Sequence, residues 1–427
     1  MGEETFAACY KIAIERGTNM KAKDYGLSKQ DIIEMSDRYL LDIGYHFPIV
    51  VEEGNGMYLK DAEGKEYLDF YAGIAVNSAG NCNERIVKAV QEQVAQVMHV
   101  SLYPYNTPQA MLARLVCEQT GFDRIFFQNS GSESNEAMIK MARKYGVENF
   151  GPEHYHIVTA KKSFHGRTFA ALTATGQPDS AIQKGFLPDL PGFSYAEYNN
   201  LDSFREACNE NTVAIMVEPV QGEGGVYPAT KEFLEGLRKL CDERGMLLLF
   251  DEVQTGWCRC GETMAFMHYG VRPDAVTMAK ALGGGLPLGA VAMTQKCADT
   301  LNPGSHGCTF SGNPVCCAAG YAAISELLEK NLAANAKEMG DYFMSQLQTL
   351  PHVKEVRGLG LLVGLELEDV DAVKVKVRSM EKQLLVTATS NRIIRMVPPL
   401  IVTREDCDKA VAVLREAIEE IAAEENE

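Results

Sequence analysis

The feature that most constrains the fold is a series of five apolar runs, each ending in a polar or glycine-rich cluster. The runs occupy residues 124–127, 156–159, 213–217, 246–250 and 275–278. Helical patterns separate them, and this alternation predicts an α/β fold with a doubly wound, mostly parallel sheet. In such a sheet the ligand site lies beyond the carboxyl ends of the strands. We therefore expect the five clusters to converge on one cleft.

The rest of the 427-residue chain is predicted to surround this sheet. We expect residues 1–30 to form a polar helical extension, and residues 31–76 to be the N-terminal part of a small domain, with a β-meander at 51–70. Residues 77–320 are predicted to be the large domain. Residues 321–427 alternate helix and strand patterns typical of an α+β small domain. A chain of this length can bury cores in two structural domains.

The charge of the chain restricts its partners. A formal net charge of −17 would repel nucleic acid and anionic membranes. No stretch approaches the roughly 18 consecutive apolar residues that a membrane span requires. The N-terminus carries acids where a signal peptide carries basic residues. We therefore expect a cytoplasmic protein that acts on small molecules, with no nucleic-acid or membrane partner.

The twelve cysteines do not form a recognisable framework. Cys258 and Cys260 make a CxC pair that could bind a metal ion, but no pair of histidines accompanies it at zinc-finger spacing. A role as small core residues is favoured, and no metal site is predicted.

Residues 129–133, Asn-Ser-Gly-Ser-Glu, lie at a predicted strand-to-helix junction. The free N–H groups and the positive dipole end of the helix, which is predicted to end at Gly146, suit a phosphate. Gly131 would let the backbone approach it closely. Ser130 and Glu133 also fit a capping box, so ordinary helix capping explains these residues equally well.

Two charged residues follow apolar runs. Asp251 is expected to be partly buried at a strand end, where it needs a cation or hydrogen-bond donors. A protonated pyridine nitrogen would serve, and so would a structural ion pair. Lys280 is followed by a loop with three consecutive glycines at 283–285. Most lysines are solvated surface groups, but a lysine in an apolar setting can have a lowered pKa and attack a carbonyl.

Other candidate binding residues are individually ambiguous. Phe164 and Arg167, in Phe-His-Gly-Arg, offer an aromatic face and a guanidinium group. Arg395 is a charge within an apolar strand pattern, so it must meet solvent, a ligand or an acid. Glu223, in a glycine-rich loop, is a candidate partner for Arg395. Each of the three charged residues is also compatible with a solvated surface charge.

Taken together, these clusters resemble the class III, or ω-, aminotransferases, a family of fold type I enzymes that use pyridoxal 5′-phosphate (PLP). The resemblance covers about residues 32–417 and rests on motifs in the expected order: FFQNSGSESNEAMIKMAR, SFHGRTFAALTATGQ, VEPVQGEGGV, LLFDEVQTG, PDAVTMAKALGGGLPLGA, HGCTFSGNP and VRGLGLLVGLEL. It implies a large domain with a mostly parallel seven-stranded sheet between helices, and a small α+β domain.

The resemblance implies roles around the PLP ring. Lys280 would be the Schiff-base lysine, which also carries the proton between the substrate carbon and C4′ of the cofactor. Asp251 would pair with the pyridinium nitrogen, and Gln254 would contact the ring hydroxyl. Val253 would lie beneath the ring and Phe164 above it.

The resemblance also implies how the phosphate is bound. Gly131 and Ser132 would contact it from one subunit, and Thr309 would be supplied by the other. A homodimer with shared active sites is therefore expected.

Two arginines would bind substrate carboxylates by the same resemblance. Arg167 would hold the donor's own carboxylate, and Arg395 would hold the α-carboxylate of glutamate or 2-oxoglutarate. Glu223 would neutralise Arg395 while the ω-amino donor is bound and then move away. One pocket could thus accept a donor whose reacting carbon has no carboxylate, and then a dicarboxylate, in a ping-pong reaction.

The identity of the donor stays open. ALTATGQP, PATKEFLEGLRKLCDERG and HYGVRPDAVTMAKALGGGLPLGAV resemble the branch that acts on N-acetylornithine in arginine biosynthesis. Ile74 would line the donor pocket, but enzymes of 4-aminobutyrate can share that isoleucine. Donors such as 4-aminobutyrate, ornithine and lysine are the alternatives. Residues 256–261 depart from the family pattern and would place Trp257 near the rim of the site.

Two other classes of function are less well supported. A PLP aminomutase, such as a glutamate-1-semialdehyde aminomutase, does not use an external dicarboxylate acceptor, which is what Glu223 and Arg395 would serve. A non-enzymatic PLP-binding regulator is disfavoured because no DNA-binding domain is recognisable and the net charge is strongly negative.

Overall fold

A computed structural model describes residues 20–44 and 46–426 of the chain. Most of the predicted extension, residues 1–19, lies outside the described residues. Its described part contains a single 3₁₀ turn at Ala22–Tyr25 and the start of helix α1 (Lys29–Tyr39). A capping box begins that helix, since Ser28 accepts a hydrogen bond from the N–H of Asp31 and the Asp31 carboxylate accepts one from the N–H of Ser28.

The predicted meander is present as three antiparallel strands: β1 (Val51–Asn55), β2 (Tyr58–Asp61) and β3 (Glu66–Asp69). A left-handed turn follows at Ala72–Ala75, in which Ile74 has a φ of 63°. A β-branched residue rarely adopts this conformation. Two helices then lead to the central sheet: α2 (Glu84–Val94) and α3 (Thr107–Thr120).

The centre of the molecule is a seven-stranded sheet with helices between its strands. The elements of this region are, in chain order, β4 (Arg124–Gln128), α4 (Gly131–Phe150), β5 (His156–Ala160), α5 (Phe169–Ala174), β6 (Phe193–Ala196), α6 (Leu201–Ala207), β7 (Thr212–Val217), β8 (Val220–Gln221), β9 (Tyr227–Pro228), α7 (Lys231–Arg244), β10 (Leu247–Asp251), α8 (Ala265–Tyr269), β11 (Ala275–Met278), a 3₁₀ turn (Lys280–Gly283), β12 (Gly289–Met293) and α9 (Gln295–Ala298). The order of the strands in the sheet is β4-β12-β11-β10-β7-β5-β6, and only β12 is antiparallel to its neighbours. This confirms the predicted fold.

The five apolar runs are strands of this sheet because both of its faces are covered. In β10, Leu247 and Leu249 belong to one buried apolar cluster, whereas Leu248 and Phe250 belong to another. Successive side chains of a strand point to opposite faces, so both faces require apolar residues and the run is continuous.

Helix α4 is longer than predicted, because it continues through Gly146 to Phe150. Gly146 is buried, and a Cβ atom there would collide with the side chain of Val213 and the carbonyl of His154. The glycine therefore allows close packing of the helix on the sheet and does not end the helix.

The C-terminal region adds four helices and five strands: α10 (Pro314–Glu329), α11 (Leu332–Leu347), β13 (Val353–Leu359), β14 (Leu362–Leu367), α12 (Ala372–Glu381), β15 (Leu384–Leu385), β16 (Thr387–Ala388), β17 (Ile393–Met396) and α13 (Arg404–Asn426). One sheet has the order β13-β14-β17-β16 and is antiparallel. Strand β15 instead joins the N-terminal meander, parallel to β3. Among the described residues, no helix is long and apolar enough to cross a membrane.

Candidate active site

The carboxyl ends of the parallel strands open into a cleft of about 390 Å³. Eight of the twelve predicted site residues line it: Gly131, Ser132, Phe164, Glu223, Asp251, Val253, Gln254 and Lys280. Its size is in the range of small-molecule and cofactor sites.

Asp251, the last residue of β10, is buried and heavily hydrogen-bonded. Its Oδ2 atom accepts hydrogen bonds from His165 Nδ1 and Asn135 Nδ2, both at 2.7 Å, and its Oδ1 atom accepts one from the N–H of Val253 at 3.0 Å. Asn135 in turn accepts a hydrogen bond at 2.8 Å from the hydroxyl of Thr277. The carboxylate is therefore held in one orientation at the floor of the cleft.

His165 and Asn135 were not predicted as site residues. Asn135 lies one helical turn after Gly131, which places both on the same face of α4. His165 follows Phe164 in the Phe-His-Gly-Arg segment. Because Asp251 accepts from Nδ1, the proton of a neutral imidazole is on Nδ1. In the described part of the chain, no group forms a hydrogen bond with the buried Nε2 atom of His165.

Lys280 lies two residues after the end of β11, and its side chain lines the cleft. Burial lowers the pKa of this amine to about 8; Glu223 opposes the shift and Arg395 adds to it. Lys280 has a φ of 46°, a conformation that is strained for a residue other than glycine. Such strain is concentrated at functional sites, where the surrounding structure maintains it.

Helix α4 starts at the edge of the cleft. Residues 129–133 cap this helix and also leave N–H groups at its start that could bind a phosphate, so both predicted explanations remain compatible with the structure. Ser130 caps the helix by accepting a hydrogen bond at 3.2 Å from the N–H of Glu133. The Glu133 carboxylate accepts from the N–H of Asn129 at 2.8 Å. The first N–H groups of any helix lack acceptors within the helix. Gly131 must be small, because a Cβ atom there would lie 2.7 Å from Cγ1 of Val253.

Arg395, on β17, lies almost completely buried beside the cleft and forms an ion pair with Glu223. Gln254 strengthens this contact by donating a hydrogen bond to Glu223 at 3.2 Å. Burial raises the pKa of Glu223, but the charges of Arg395 and Lys280 outweigh that effect and hold this pKa below its usual value. Glu223 is therefore ionised and neutralises Arg395 in this structure.

Besides Arg395, three predicted site residues lie outside the cleft lining. Arg167 is exposed, and its guanidinium group lies 5.4 Å from the centre of the Phe164 ring. Its backbone N–H donates a hydrogen bond to the Ser132 hydroxyl. Ile74, in the left-handed turn, is 41% exposed, and Thr309 is also exposed. The roles predicted for these three residues therefore stay predictions.

The prediction for Trp257 was wrong. Its side chain is only 1% exposed, belongs to the main apolar core and is not among the residues that line the cleft. Trp257 and Cys258 both have positive φ values, so the chain turns sharply here. Cys258 and Cys260 are buried nearby, and within residues 20–44 and 46–426 no group of three or more His, Cys, Asp or Glu residues could hold a metal ion.

The groups in the cleft match the parts of PLP in their chemistry. A helix N-terminus suits a phosphate, and the buried Asp251 carboxylate suits a protonated pyridine nitrogen. An amine with a lowered pKa, that of Lys280, suits an aldehyde. Phe164 and Val253 offer apolar surface to an aromatic ring.

The fold and this cleft together define a PLP-dependent transferase of fold type I. A family model described as Aminotransferase class-III matches residues 42–418. The chain belongs to this family, which confirms the resemblance, and it is a PLP-dependent transaminase.

Two similar proteins share one name. The chain is 44% identical over 394 residues to the acetylornithine aminotransferase of Caldanaerobacter subterraneus subsp. tengcongensis, covering 91% of this chain and 100% of that protein. It is also 44% identical over 399 residues to the acetylornithine aminotransferase of Methanocaldococcus jannaschii, covering 92% of this chain and 100% of the relative.

Solved structures extend the comparison. The ornithine aminotransferase of Toxoplasma gondii superimposes with a TM-score of 0.90 at 32% identity, covering 96% of this chain and 100% of that one. The acetylornithine aminotransferase of Elizabethkingia anophelis superimposes with a TM-score of 0.82 at 30% identity, covering 92% of this chain and 99% of that one.

Proposed function

We propose that the chain transfers the ω-amino group of N-acetylornithine to 2-oxoglutarate, giving the semialdehyde and glutamate by a ping-pong mechanism. The observation that carries this proposal is the ion pair between Glu223 and Arg395 beside a cleft that contains Lys280 and Asp251. The names of the relatives at 44% identity favour N-acetylornithine as the donor.

The residues of the cleft would act as follows. When bound, PLP supplies an electron sink for the electrons of the bond broken at the substrate carbon. Lys280 holds the cofactor and moves the proton at that carbon, since an amine with a pKa of about 8 can both accept and return a proton near neutral pH. Asp251 would keep the pyridine nitrogen protonated. Gln254 would contact the ring hydroxyl, and Phe164 and Val253 would exclude water from the ring.

The phosphate would be bound by the N-terminus of α4 at Gly131 and Ser132. We propose that Thr309 of a second subunit completes this contact, so that the enzyme is a homodimer. Exposed apolar side chains support this assembly: Phe310, next to Thr309, is 56% exposed and packs on His99, and Met98 and Tyr103, close to His99 in the sequence, are 61% and 95% exposed. Exposed large apolar side chains that cluster on a surface mark protein interfaces.

The two substrates would use the arginines in turn. While the donor is bound, its own carboxylate contacts Arg167, and Glu223 keeps Arg395 neutralised. When 2-oxoglutarate enters, the Glu223 side chain turns away and Arg395 binds the α-carboxylate. While it is paired with Glu223, Arg395 presents no uncompensated charge to a donor carbon that has no carboxylate. Once Glu223 has turned away, the free charge of Arg395 attracts the carboxylate of 2-oxoglutarate.

We also propose the domain division that the sequence predicts: residues 77–320 as the large domain, with residues 31–76 and 321–427 together as the small one. The parallel pairing of β3 with β15, through Leu68 and Leu384, supports it because it joins the two parts of the small domain.

Ornithine is the second candidate donor, because the ornithine aminotransferase of Toxoplasma gondii superimposes with a TM-score of 0.90. The two donors differ at the α-nitrogen, which is a cation in ornithine and a neutral amide in N-acetylornithine. Ile74 lies two residues before Val76, which lines the cleft, and an isoleucine side chain gives no hydrogen bond to an ammonium group. 4-Aminobutyrate and lysine are the remaining alternatives.

A half-reaction screen tests the proposal. PLP-loaded enzyme is mixed with N-acetylornithine, ornithine, lysine or 4-aminobutyrate without a keto acid, and loss of the visible band of the bound cofactor is followed. Rapid bleaching by N-acetylornithine alone is expected. Bleaching by another donor would support a transaminase but would refute N-acetylornithine as its donor. Bleaching by glutamate alone would refute all four donors.

A further inference from the structure

The segment that carries Glu223 is the tip of a short hairpin formed by β8 and β9, in which Val220 pairs with Pro228 and Gln221 with Tyr227. Glycines on both sides of Glu223 pack tightly. A Cβ atom at Gly222 would collide with the side-chain oxygen of Gln254, and one at Gly224 with the carbonyl of Lys162. The backbone of the tip is therefore enclosed on both sides of Glu223.

The hairpin tip rests on the small-domain sheet at Gly364. This glycine of β14 lies between Arg357 of β13 and Arg395 of β17, so the three residues form one row across the sheet. A Cβ atom at Gly364 would lie 2.9 Å from Cβ of Val226 and 3.3 Å from the carbonyl oxygen of Gly225. The missing side chain thus provides the space in which the tip lies between the two arginines.

Arg357 holds the tip from the side opposite to Arg395. Its Nε and Nη2 atoms both donate to the carbonyl oxygen of Gly225, at 3.0 and 2.8 Å, and its guanidinium group lies 4.0 Å from the centre of the Tyr227 ring. Its Nη1 atom pairs with Glu355 at 2.7 Å and Glu366 at 2.6 Å. Two charge-assisted hydrogen bonds from a buried arginine to one carbonyl fix that carbonyl firmly.

We propose that Arg357 is a positioning residue for the Glu223 switch: it fixes the hairpin tip on the sheet at Gly364, so that Arg395 is exposed by rotation of the Glu223 side chain while the backbone of residues 222–226 stays in place. This inference rests on the proposed function, in which Glu223 neutralises Arg395. It predicts that Arg357 contributes to the choice between the ω-amino donor and glutamate without touching either substrate.

The test compares two half-reactions of the PLP-loaded enzyme. In Arg357→Lys the charge is kept but the two-point contact with Gly225 is lost. We expect kcat/KM for the ω-amino donor to fall about tenfold, the scale of one charge-assisted hydrogen bond, while kcat/KM for glutamate changes less than about twofold. A purely structural role would lower both alike, and equal losses would overturn the proposal. Glu355→Gln, which removes only an exposed partner of Arg357, should behave as the wild type.

Hydrogen–deuterium exchange supplies a second measurement that does not depend on activity. In the wild type, exchange of a peptide covering residues 220–228 should be the same with and without saturating 2-oxoglutarate; a large increase would show that the backbone moves and would refute the proposal. Exchange should be faster in Arg357→Lys. Should that variant not fold, Gly364→Ala lifts the tip through its Cβ atom, with the same expected result.

A third variant separates this inference from the proposed function. Glu223→Gln should reduce the preference for the donor over glutamate whatever Arg357 does. No effect of Glu223→Gln would refute the switch itself. If Glu223→Gln reduces this preference but Arg357→Lys keeps the wild-type ratio of kcat/KM for the donor to kcat/KM for glutamate, only the role of Arg357 is refuted.

Discussion

His165 donates a hydrogen bond from Nδ1 to Oδ2 of Asp251 across 2.7 Å, and both side chains are buried. The two residues come from different strand ends, 86 positions apart in the chain. Since Asp251 is proposed to keep the pyridine nitrogen of PLP protonated, the imidazole determines how well the carboxylate is oriented for that contact.

We expect His165→Ala to keep PLP bound but to slow proton removal from the donor. A lost hydrogen bond to a buried charge costs about 1.5–3 kcal/mol, which corresponds to a rate lower by roughly tenfold to 150-fold. Stopped-flow bleaching by the donor measures this rate. Asp251→Asn should be slower still, because it removes the charge itself. A wild-type rate in His165→Ala would mean that Asn135 and Val253 suffice to orient the carboxylate.

The lowered pKa of Lys280 predicts how PLP attachment depends on pH. Only the deprotonated amine attacks the aldehyde of PLP, and with a pKa of about 8 this form increases as the pH rises from 7 to 9. The initial rate of covalent PLP incorporation into the apoenzyme should therefore rise through about pH 8 and then level off. A rise centred near the ordinary lysine value of about 10.4 would contradict the burial of the amine.

Arg395→Ala should affect the two half-reactions unequally. The 2-oxoglutarate half-reaction loses the partner of its α-carboxylate, and we expect kcat/KM to fall about a hundredfold, the scale of a buried ionic hydrogen bond. The donor half-reaction should change much less. Stopped-flow measurement of each half-reaction separates them, with Arg392→Ala, an exposed arginine of the same segment, as the control. Equal losses would refute the two-arginine switch.

The proposed sharing of active sites can be tested with hybrid dimers of Lys280→Ala and Thr309→Ala subunits. If Thr309 acts on the partner's site, one of the two sites in the hybrid has both residues intact. Tight PLP binding and activity should then return to about half of the wild-type value per dimer. If Thr309 acts within its own subunit, neither site is intact and nothing is recovered. Sedimentation of the wild type checks the dimer itself.

Much of the large domain could be predicted from local sequence. The strands that end at Gln128, Val217, Asp251 and Met278 could be predicted from apolar runs, because a doubly covered parallel sheet requires continuous apolar residues. The helix beginning at Gly131 was marked by its capping residues. Gly146 was misinterpreted, because a glycine that ends a helix and a glycine that packs a helix on a sheet have the same local sequence signal.

The sequence by itself therefore determined where the strands end, and with them that Asp251, Lys280 and the start of α4 share one edge of a sheet. Only the tertiary structure decided which side chains meet across that edge: His165 with Asp251, Glu223 with Arg395, and Arg357 with the backbone of Gly225. A strand end is marked locally, where a continuous apolar run gives way to a polar or glycine-rich cluster. The contacts depend on strand order and register, as in the row Arg357, Gly364 and Arg395, which only the packing of distant segments establishes.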